Sequence, residues 1–469
     1  MRPRGDAARH AAARGVRIAR VVGPRAAHHA AARVTNLLQD ERQVAERLER
    51  VHRESAVAAT ELLGGMKGGA MKLGQLASYV ELDFIPAELR DLYQSELAVL
   101  RDAAPPISWE SVAQVLAEEW GRPPDAVLEI ERDAAAAASI GQVHRGVLPD
   151  GRRVAVKVQY PDVAGAVEAD VRMAMLLMRA WRGILPRLDS SALAAELRDR
   201  VLDELDYRLE TENQAVFADA YRGHPFIHVP APVEDLCTRR VLVTEWVDGL
   251  TFAEIRALPQ GERDRMGRML FRFYLGSMDV VGRFNADPHP GNFLLMPGGR
   301  LAIVDFGAVK TMTREGREAM NRLAVACASG DPTEAREAMV ANGWFADPAE
   351  VDADLALEAA QLVSGWMLED RPTRLTPDYV RSRMRTLVAS DERLAGVMRR
   401  ANLPAAELWF RRLETSLVAV LAQLRACANW HRMARELWFG DPPADELARQ
   451  EWDFFEVGSL WRDPRIAFA

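Results

Sequence analysis

Asn285–Gly307 reads NADPHPGNFLLMPGGRLAIVDFG, and its spacing decides the fold. Asp287 and Asn292 stand five residues apart, and Asp305, eighteen residues after Asp287, heads Asp-Phe-Gly. Between them, two apolar runs flank Pro297-Gly298-Gly299, the signal of a hairpin that returns the second Asp toward the first. Phosphates carry dense negative charge, so a centre that handles them needs hard oxygen ligands and Mg²⁺ together, which one Asp cannot arrange. Asp-Phe-Gly alone occurs by chance in many chains. The three-part spacing is far more specific and points to phosphoryl transfer.

Upstream, the alternating VAVKV holds Lys157 at its polar phase, after a hairpin turn at Pro149-Asp150-Gly151. Lys157 lies fourteen residues after Val143, which closes AAASIGQV. In that octet small residues stand where a nucleotide-covering G-x-G-x-x-G-x-V loop has glycine: Ala136 and Ala138 replace the first two, and Gly141 keeps the third. Ala136, Ala137, Ala138 and Ser139 are the candidate phosphate-covering residues; their side chains let backbone approach phosphate, while alanine stiffens the turn. A strand lysine aimed at the α/β-phosphates needs an acid to fix it. The segment DELDYRLETENQ reads as a helix that offers Glu204, Asp206, Glu210 and Glu212, with Glu210 the expected partner of Lys157. Thr244-Glu245-Trp246-Val247 follows a strand and precedes Asp248-Gly249. There, the backbone of Glu245 and Val247 would hydrogen-bond adenine. His289 has no second histidine close by and reads as loop structure rather than a metal ligand.

At 469 residues, with 49% hydrophobic and 27% charged residues, the chain is long enough for two or three structural units. Four segments are expected: a basic arm over 1–34, a helical extension over 35–106, a small mixed lobe over 107–248 and a mainly helical lobe over 249–469. Short strands are expected at Val229–Pro232 and Arg240–Trp246, and beyond Thr251 the pattern is helical except for the Pro297 hairpin. The arm carries eight arginines from Arg2 to Arg33 against Asp6 alone, with no apolar signal core. It reads first as a solvated tail and second as a contact for anionic lipid. No window reaches eighteen uninterrupted apolar residues. Cys237, Cys327 and Cys427 show no metal-ligand spacing and read as free thiols in a reducing cytosol.

Together these residues resemble the AarF/UbiB family of atypical kinase-like proteins, from about Leu63 to Gly307. Beyond a general kinase match, Lys72-Leu73-Gly74-Gln75 is similar to the family's K-x-G-Q signature, and AAASIGQVH to its alanine-rich loop. Glu204-Leu205-Asp206 is similar to its E-x-D element, and DPHPGN to its catalytic loop. The resemblance implies an α+β, protein-kinase-like bilobal fold whose extension packs over the active-site cleft. Lys72, Gln75, Glu204 and Asp206 would gate that cleft and exclude a peptide. It further implies ATP and Mg²⁺ as cofactors, with Lys157, Glu210 and Asp287 catalytic and Asn292 and Asp305 holding metal. The expected role is an atypical kinase or ATPase in isoprenoid-quinone or lipid metabolism, cytoplasmic with peripheral contact at the inner face of a membrane. An isoprenoid or lipid small molecule is the expected acceptor, and no nucleic-acid partner is expected. The sequence is silent on oligomeric state. Two alternatives stand beside this reading: a nucleotide-binding regulator without turnover, and a conventional Ser/Thr protein kinase. One departure is Asn285, where the family usually has His in His-Ala-Asp; a tuned loop is expected there.

Overall fold

The computed structural model describes residues 107–165 and 203–455, apart from residues 139, 162, 312–313 and several positions between 390 and 404. The basic arm, the helical extension with Lys72 and Gln75, and Ser139 lie outside the described residues. Two compact units divide the chain: one comprises Met1–Val112, Ala134–Gln142 and Gln159–Met178, the other Ala113–Asp133, Val143–Val158 and Arg179–Ala469.

Ser108, in the first unit, starts helix α1 (Trp109–Trp120), most of which belongs to the second: its carbonyl accepts the Ser111 and Val112 amides, and its hydroxyl accepts the Ser111 amide at 3.4 Å. The Gln142 side chain clamps Ile107, accepting its amide at 2.9 Å and donating to its carbonyl at 3.4 Å.

The second unit holds most of an antiparallel sheet. Its strands are β1 (Glu129–Ile130), β2 (Ala136–Ala137), β3 (Gly141–Val147), β4 (Arg153–Gln159) and, further along the chain, a strand over 241–245; β1, β3, β4 and that strand follow one another, and β2 pairs with β3. The β3–β4 hairpin turns at Pro149-Asp150-Gly151, where Gly151 takes φ 87°, a conformation open to a residue without Cβ. Along β4, Val154, Val156 and Val158 are buried and Lys157 occupies the opposite phase. Helix α2 (Tyr207–Ala220) follows. After it, β5 (Ile227–His228) precedes β6 (Val241–Glu245), and β6 pairs with β4 so that Lys157 lies opposite Leu242.

The strand expected at Val229–Pro232 is displaced. β5 lies two residues earlier and joins a different sheet, while Pro232 keeps only an isolated bridge to Thr244. Pro230 and Pro232 have no N–H to give a ladder, which accounts for the shift.

Beyond this point, the short helix α3 (Phe252–Ile255) opens with a Thr251–Glu254 capping box and leads to α4 (Gln260–Val280). From Met266 to Met278, nearly every side chain of α4 is buried except Arg268, so α4 is the central rod of the core rather than a surface helix. Early in this region come β7 (Arg283–Asn285), then β8 (Phe293–Leu295) and β9 (Leu301–Ile303) of the expected Pro297 hairpin, then β10 (Val309–Thr311), which returns to β7 with Val309 opposite Asn285; β7 and β10 are two strands beyond those expected. β5 pairs parallel to β9. Strands of three residues are too short to show a period of two, so they leave no pattern in the sequence. Helices α5 (Arg314–Ser329), α6 (Pro332–Ala341) and α7 (Ala353–Ser364) form a second apolar cluster around Trp344 and Phe345. Strand β11 (Thr373–Arg374), α8 (Pro377–Ala389), α9 (Ala405–Leu424), β12 (Cys427–Ala428), α10 (Trp430–Phe439) and α11 (Glu446–Phe454) complete the elements among the described residues. The chain between α9 and β12 packs tightly on α4: a Cβ on Gly267 would stand 2.5 Å from Ala426 Cβ, with Leu421 of α9 and Trp430 of α10 at 3.4 and 3.5 Å. The three cysteines are free thiols.

One buried ion cluster ties the core together. Arg272 of α4, 3% exposed, donates to Glu436 of α10 at 2.5 Å and to Glu451 of α11 at 2.8 Å. Removing one partner of such a cluster strands buried charge, so Arg272→Ala should lower the unfolding free energy by about 3–5 kcal/mol, with Arg272→Met less costly, measured by urea titration. His224 lies beside it, fully buried, and its Nδ1 accepts the Ile227 amide at 3.0 Å. Burial, with Arg300 and Arg272 nearby, pushes its pKa down to about 3. The unfolded chain then binds more protons than the folded one between about pH 6.5 and 3, and stability falls as pH drops through that window. His224→Gln should remove a slope of up to about 1.4 kcal/mol per pH unit from urea midpoints compared between pH 7 and 5.

Candidate phosphoryl-transfer site

Five of the residues singled out by spacing meet in one network within the second unit. Lys157 Nζ on β4 donates to both oxygens of Glu210, at 2.9 and 3.0 Å, and to Asp305 Oδ2 at 3.3 Å. The lysine side chain is 16% exposed and lies over the Tyr207 ring at 5.0 Å. Burial by itself would lower the Lys157 pKa, but the Asp305 and Glu210 carboxylates outweigh it and hold it well above the usual range. The ammonium is therefore locked on, with two carboxylates around one cation.

Glu210 reaches this place because α2 buries one stripe, Tyr207, Glu210, Thr211, Gln214, Phe217 and Ala218, at helical spacing. A carboxylate in the middle of that stripe has to find a cation. Contrary to the sequence reading, Glu204 and Asp206 are not on the helix. Asp206 is its N-cap, extended at φ −122°, accepting the Arg208 amide at 3.1 Å and pairing with the Arg208 guanidinium; Glu204 precedes it in a turn, partly buried. An Asp ahead of a helical run competes for backbone N–H groups and so starts the helix rather than continuing it.

The loop after β7 is held by Asn285, which is fully buried. Its Nδ2 donates to the Asp305 carbonyl at 2.7 Å, and its Oδ1 accepts the Asp287 amide at 2.9 Å. Asn285 thus ties the loop that carries Asp287 to the one that carries Asp305. The Ala286 amide donates to the Ala308 carbonyl at 2.8 Å, a second tie between the same segments. Asn292 Nδ2 donates to the Asp287 carbonyl and to Asp287 Oδ2, each at 3.1 Å. His289 Nδ1 accepts the Gly291 amide at 3.1 Å and caps the turn. Phe306 is buried against Phe217 and Phe273, with ring centroids 5.0 and 6.4 Å away, which anchors Asp-Phe-Gly to the core.

One residue of this network left no trace in the sequence. Arg412 of α9, its side chain 7% exposed, donates to Asp287 Oδ1 at 2.8 Å from 125 residues away. Neither motif nor spacing could have indicated it.

At the end of β6, the Glu245 amide donates to the Ala231 carbonyl at 3.0 Å and the Trp246 amide to the Arg153 carbonyl at 3.0 Å. The Glu245 carboxylate meets His228 Nε2 at 3.3 Å, and that bond holds its pKa down. Val247 is buried. Ala136, Ala137 and Ala138 belong to the other unit: the first two form the exposed β2, and the Ala138 amide donates to the Gly141 carbonyl at 2.8 Å.

Among the described residues, no group of three or more His, Cys, Asp or Glu side chains is arranged to hold a metal ion. An Asp and an Asn beside a site for phosphate form a different donor set, hard oxygens that take Mg²⁺ with the phosphates completing its shell. Asn292 turns its Nδ2 to Asp287, which directs its amide oxygen to other uses. The residues fit Mg²⁺.

The sequence signature of the ABC1 atypical kinase-like domain matches residues 99–339. The mitochondrial atypical kinase COQ8B of Rattus norvegicus is 32% identical over 279 residues, 59% of this chain and 52% of that protein. The chloroplastic ACTIVITY OF BC1 COMPLEX KINASE 1 of Arabidopsis thaliana is 32% identical over 282 residues, 58% of this chain and 41% of that protein. The chain thus spans about half or less of the length of these relatives. A Mycobacterium tuberculosis protein solved in complex with erythromycin matches with a TM-score of 0.60 at 30% identity, over 86% of this chain and 100% of the other.

Asn285→Ala removes the partner of a buried carbonyl and a buried amide at once. It should cost about 2 kcal/mol or more of stability in urea titrations.

Proposed function

The chain belongs to the AarF/UbiB family through its ABC1 atypical kinase-like domain, and on that premise we propose that it is a Mg²⁺-dependent ATPase or kinase whose acceptor is not a protein. The observation that carries this reading is the triangle of Lys157, Glu210 and Asp305, with Nζ 2.9 Å from one carboxylate and 3.3 Å from the other. In a phosphoryl-transfer site a lysine so held meets the α/β-phosphates, and Glu210 orients it. Asn292 and Asp305 would hold Mg²⁺, which when bound draws charge from the β- and γ-phosphates. Asp287 positions the attacking hydroxyl or water. By the family resemblance, backbone over Ala136–Ser139 would cover phosphate, and adenine would be met by the Val247 amide and the Glu245 carbonyl, since the Glu245 amide is already committed to Ala231. Lys72 and Gln75, with Glu204 and Asp206, would gate the cleft.

Two observations support a non-protein acceptor. Helix α5 begins nine residues after Asp305, with β10 between them, leaving little chain for a peptide platform. The Mycobacterium tuberculosis relative was solved with erythromycin, a non-protein ligand. The family resemblance carries the role in isoprenoid-quinone or lipid metabolism, and relatives named as mitochondrial and chloroplastic kinases accord with phosphoryl transfer. No helix among the described residues is long and apolar enough to cross a membrane. Membrane contact in this reading is peripheral, through the basic arm, at the inner face from the cytoplasm.

The test is ATP turnover with and without Mg²⁺, anionic liposomes and quinone-precursor mimics. Wild type should turn over only with Mg²⁺ and respond to lipid, and Asp305→Asn should lose about 10²-fold or more in kcat. Unchanged turnover in Asp305→Asn would sink the metal assignment. ATP binding together with full cellular function in Asp287→Asn would favour the regulator without turnover.

A further inference from the structure

Transfer of a γ-phosphoryl group spreads negative charge over its three peripheral oxygens, and cations beside them are a principal source of rate. The loop over 287–292, Asp-Pro-His-Pro-Gly-Asn, holds no lysine or arginine. Its histidine cannot supply the charge, because His289 Nδ1 accepts the Gly291 amide and a ring accepting there is neutral. Lys157 is bound by Glu210 and Asp305 and belongs to the α/β-phosphates.

Arg412 fills that gap. It is carried by α9, whose Leu413, Leu417, Leu421 and Leu424 are fully buried, so its backbone is fixed by the core. Trp409, one turn earlier and 5% exposed, lies under the guanidinium at 5.5 Å and has Lys310 Nζ at 4.9 Å from its ring. A cation–π contact of this kind helps hold the guanidinium in place. The ion pair to Asp287 Oδ1 uses Nη2, while Asn292 holds Oδ2. A planar fork of five N–H groups can span a carboxylate and a phosphoryl oxygen at once.

We propose that Arg412 contacts the transferring phosphoryl group beside Asp287, supplying from α9 the positive charge that the loop over 287–292 lacks. This rests on the phosphoryl-transfer reading above. In the step, the bond from the γ-phosphorus to the β–γ bridging oxygen breaks with its electron pair remaining on ADP. The oxygen of water or of an acceptor hydroxyl forms the new bond, and its proton leaves through Asp287 to solvent or to the product phosphate. Arg412 keeps Asp287 oriented toward that oxygen and takes up the charge growing on the phosphoryl group.

The test uses the full chain with Mg²⁺ and ATP, reading kcat by ADP release and nucleotide affinity by a fluorescent ATP analogue, in wild type, Arg412→Lys, Arg412→Gln and Arg412→Ala. Arg412→Gln and Arg412→Ala should lose about 10²–10³-fold in kcat while nucleotide affinity stays within about threefold, and Arg412→Lys should lose only about tenfold. Added guanidinium ion should restore part of the Arg412→Ala rate. A kcat for Arg412→Gln within about threefold of wild type overturns the proposal. So does a parallel loss of kcat, nucleotide affinity and thermal midpoint in Arg412→Lys and Arg412→Gln with no guanidinium response, which makes the ion pair structural. Wild-type chain that binds ATP without turnover overturns the phosphoryl-transfer reading itself, and this role with it.

Discussion

A lysine held between two carboxylates fixes the centre of this structure. Lys157 comes from a strand, Glu210 from a helix more than fifty residues later, and Asp305 from the turn after β9. Each of the three would be costly to bury alone, and in the low-dielectric interior their mutual attraction offsets that cost only at close range. The requirement therefore pins β4, α2 and Asp-Phe-Gly to one another. Phe306, the neighbour of Asp305, adds an apolar anchor against Phe217 on the same helix that carries Glu210. Charge and packing thus bring the same elements together.

Asn285 extends this arrangement to the second half of the site. With one amide side chain it bonds the carbonyl of Asp305 and the amide of Asp287, so the two aspartates are tied through a single residue. Asn can do this because its side chain has both a donor and an acceptor and is neutral at every pH of interest. An imidazole in its place would present one donor and one acceptor in a fixed tautomer, or two donors when protonated. The departure from the family's usual His is therefore compatible with an ordered loop.

The fold and the site differ in how much of them the sequence displayed. The alternation around Lys157 is a period-two pattern, while the turn at Gly151 and the Pro297 hairpin are legible as glycine turns between apolar runs, and all three form as elements of the structure. The strand near Val229 was misplaced because apolar residues suggested a ladder that two prolines cannot join. β7 and β10 were not legible at all, since three residues cannot show a period. The start of α2 was misread for a related reason: an acidic run resembles a solvated helix face, whereas Asp206 captures backbone N–H groups and caps.

By itself the sequence determined the set of polar residues at a phosphoryl-transfer spacing, because Asp287, Asn292 and Asp305 sit on a loop and hairpin short enough for chain geometry to bring them together. The same holds for the short span from Asp305 to α5. Only the tertiary structure decided that Asp287 has a buried arginine on one oxygen and an amide on the other. Arg412 stands 125 residues downstream on a helix whose apolar face reads like any other. Its place is set by how α9 packs on α4, and contacts made by packing distant elements have no fixed spacing along the chain.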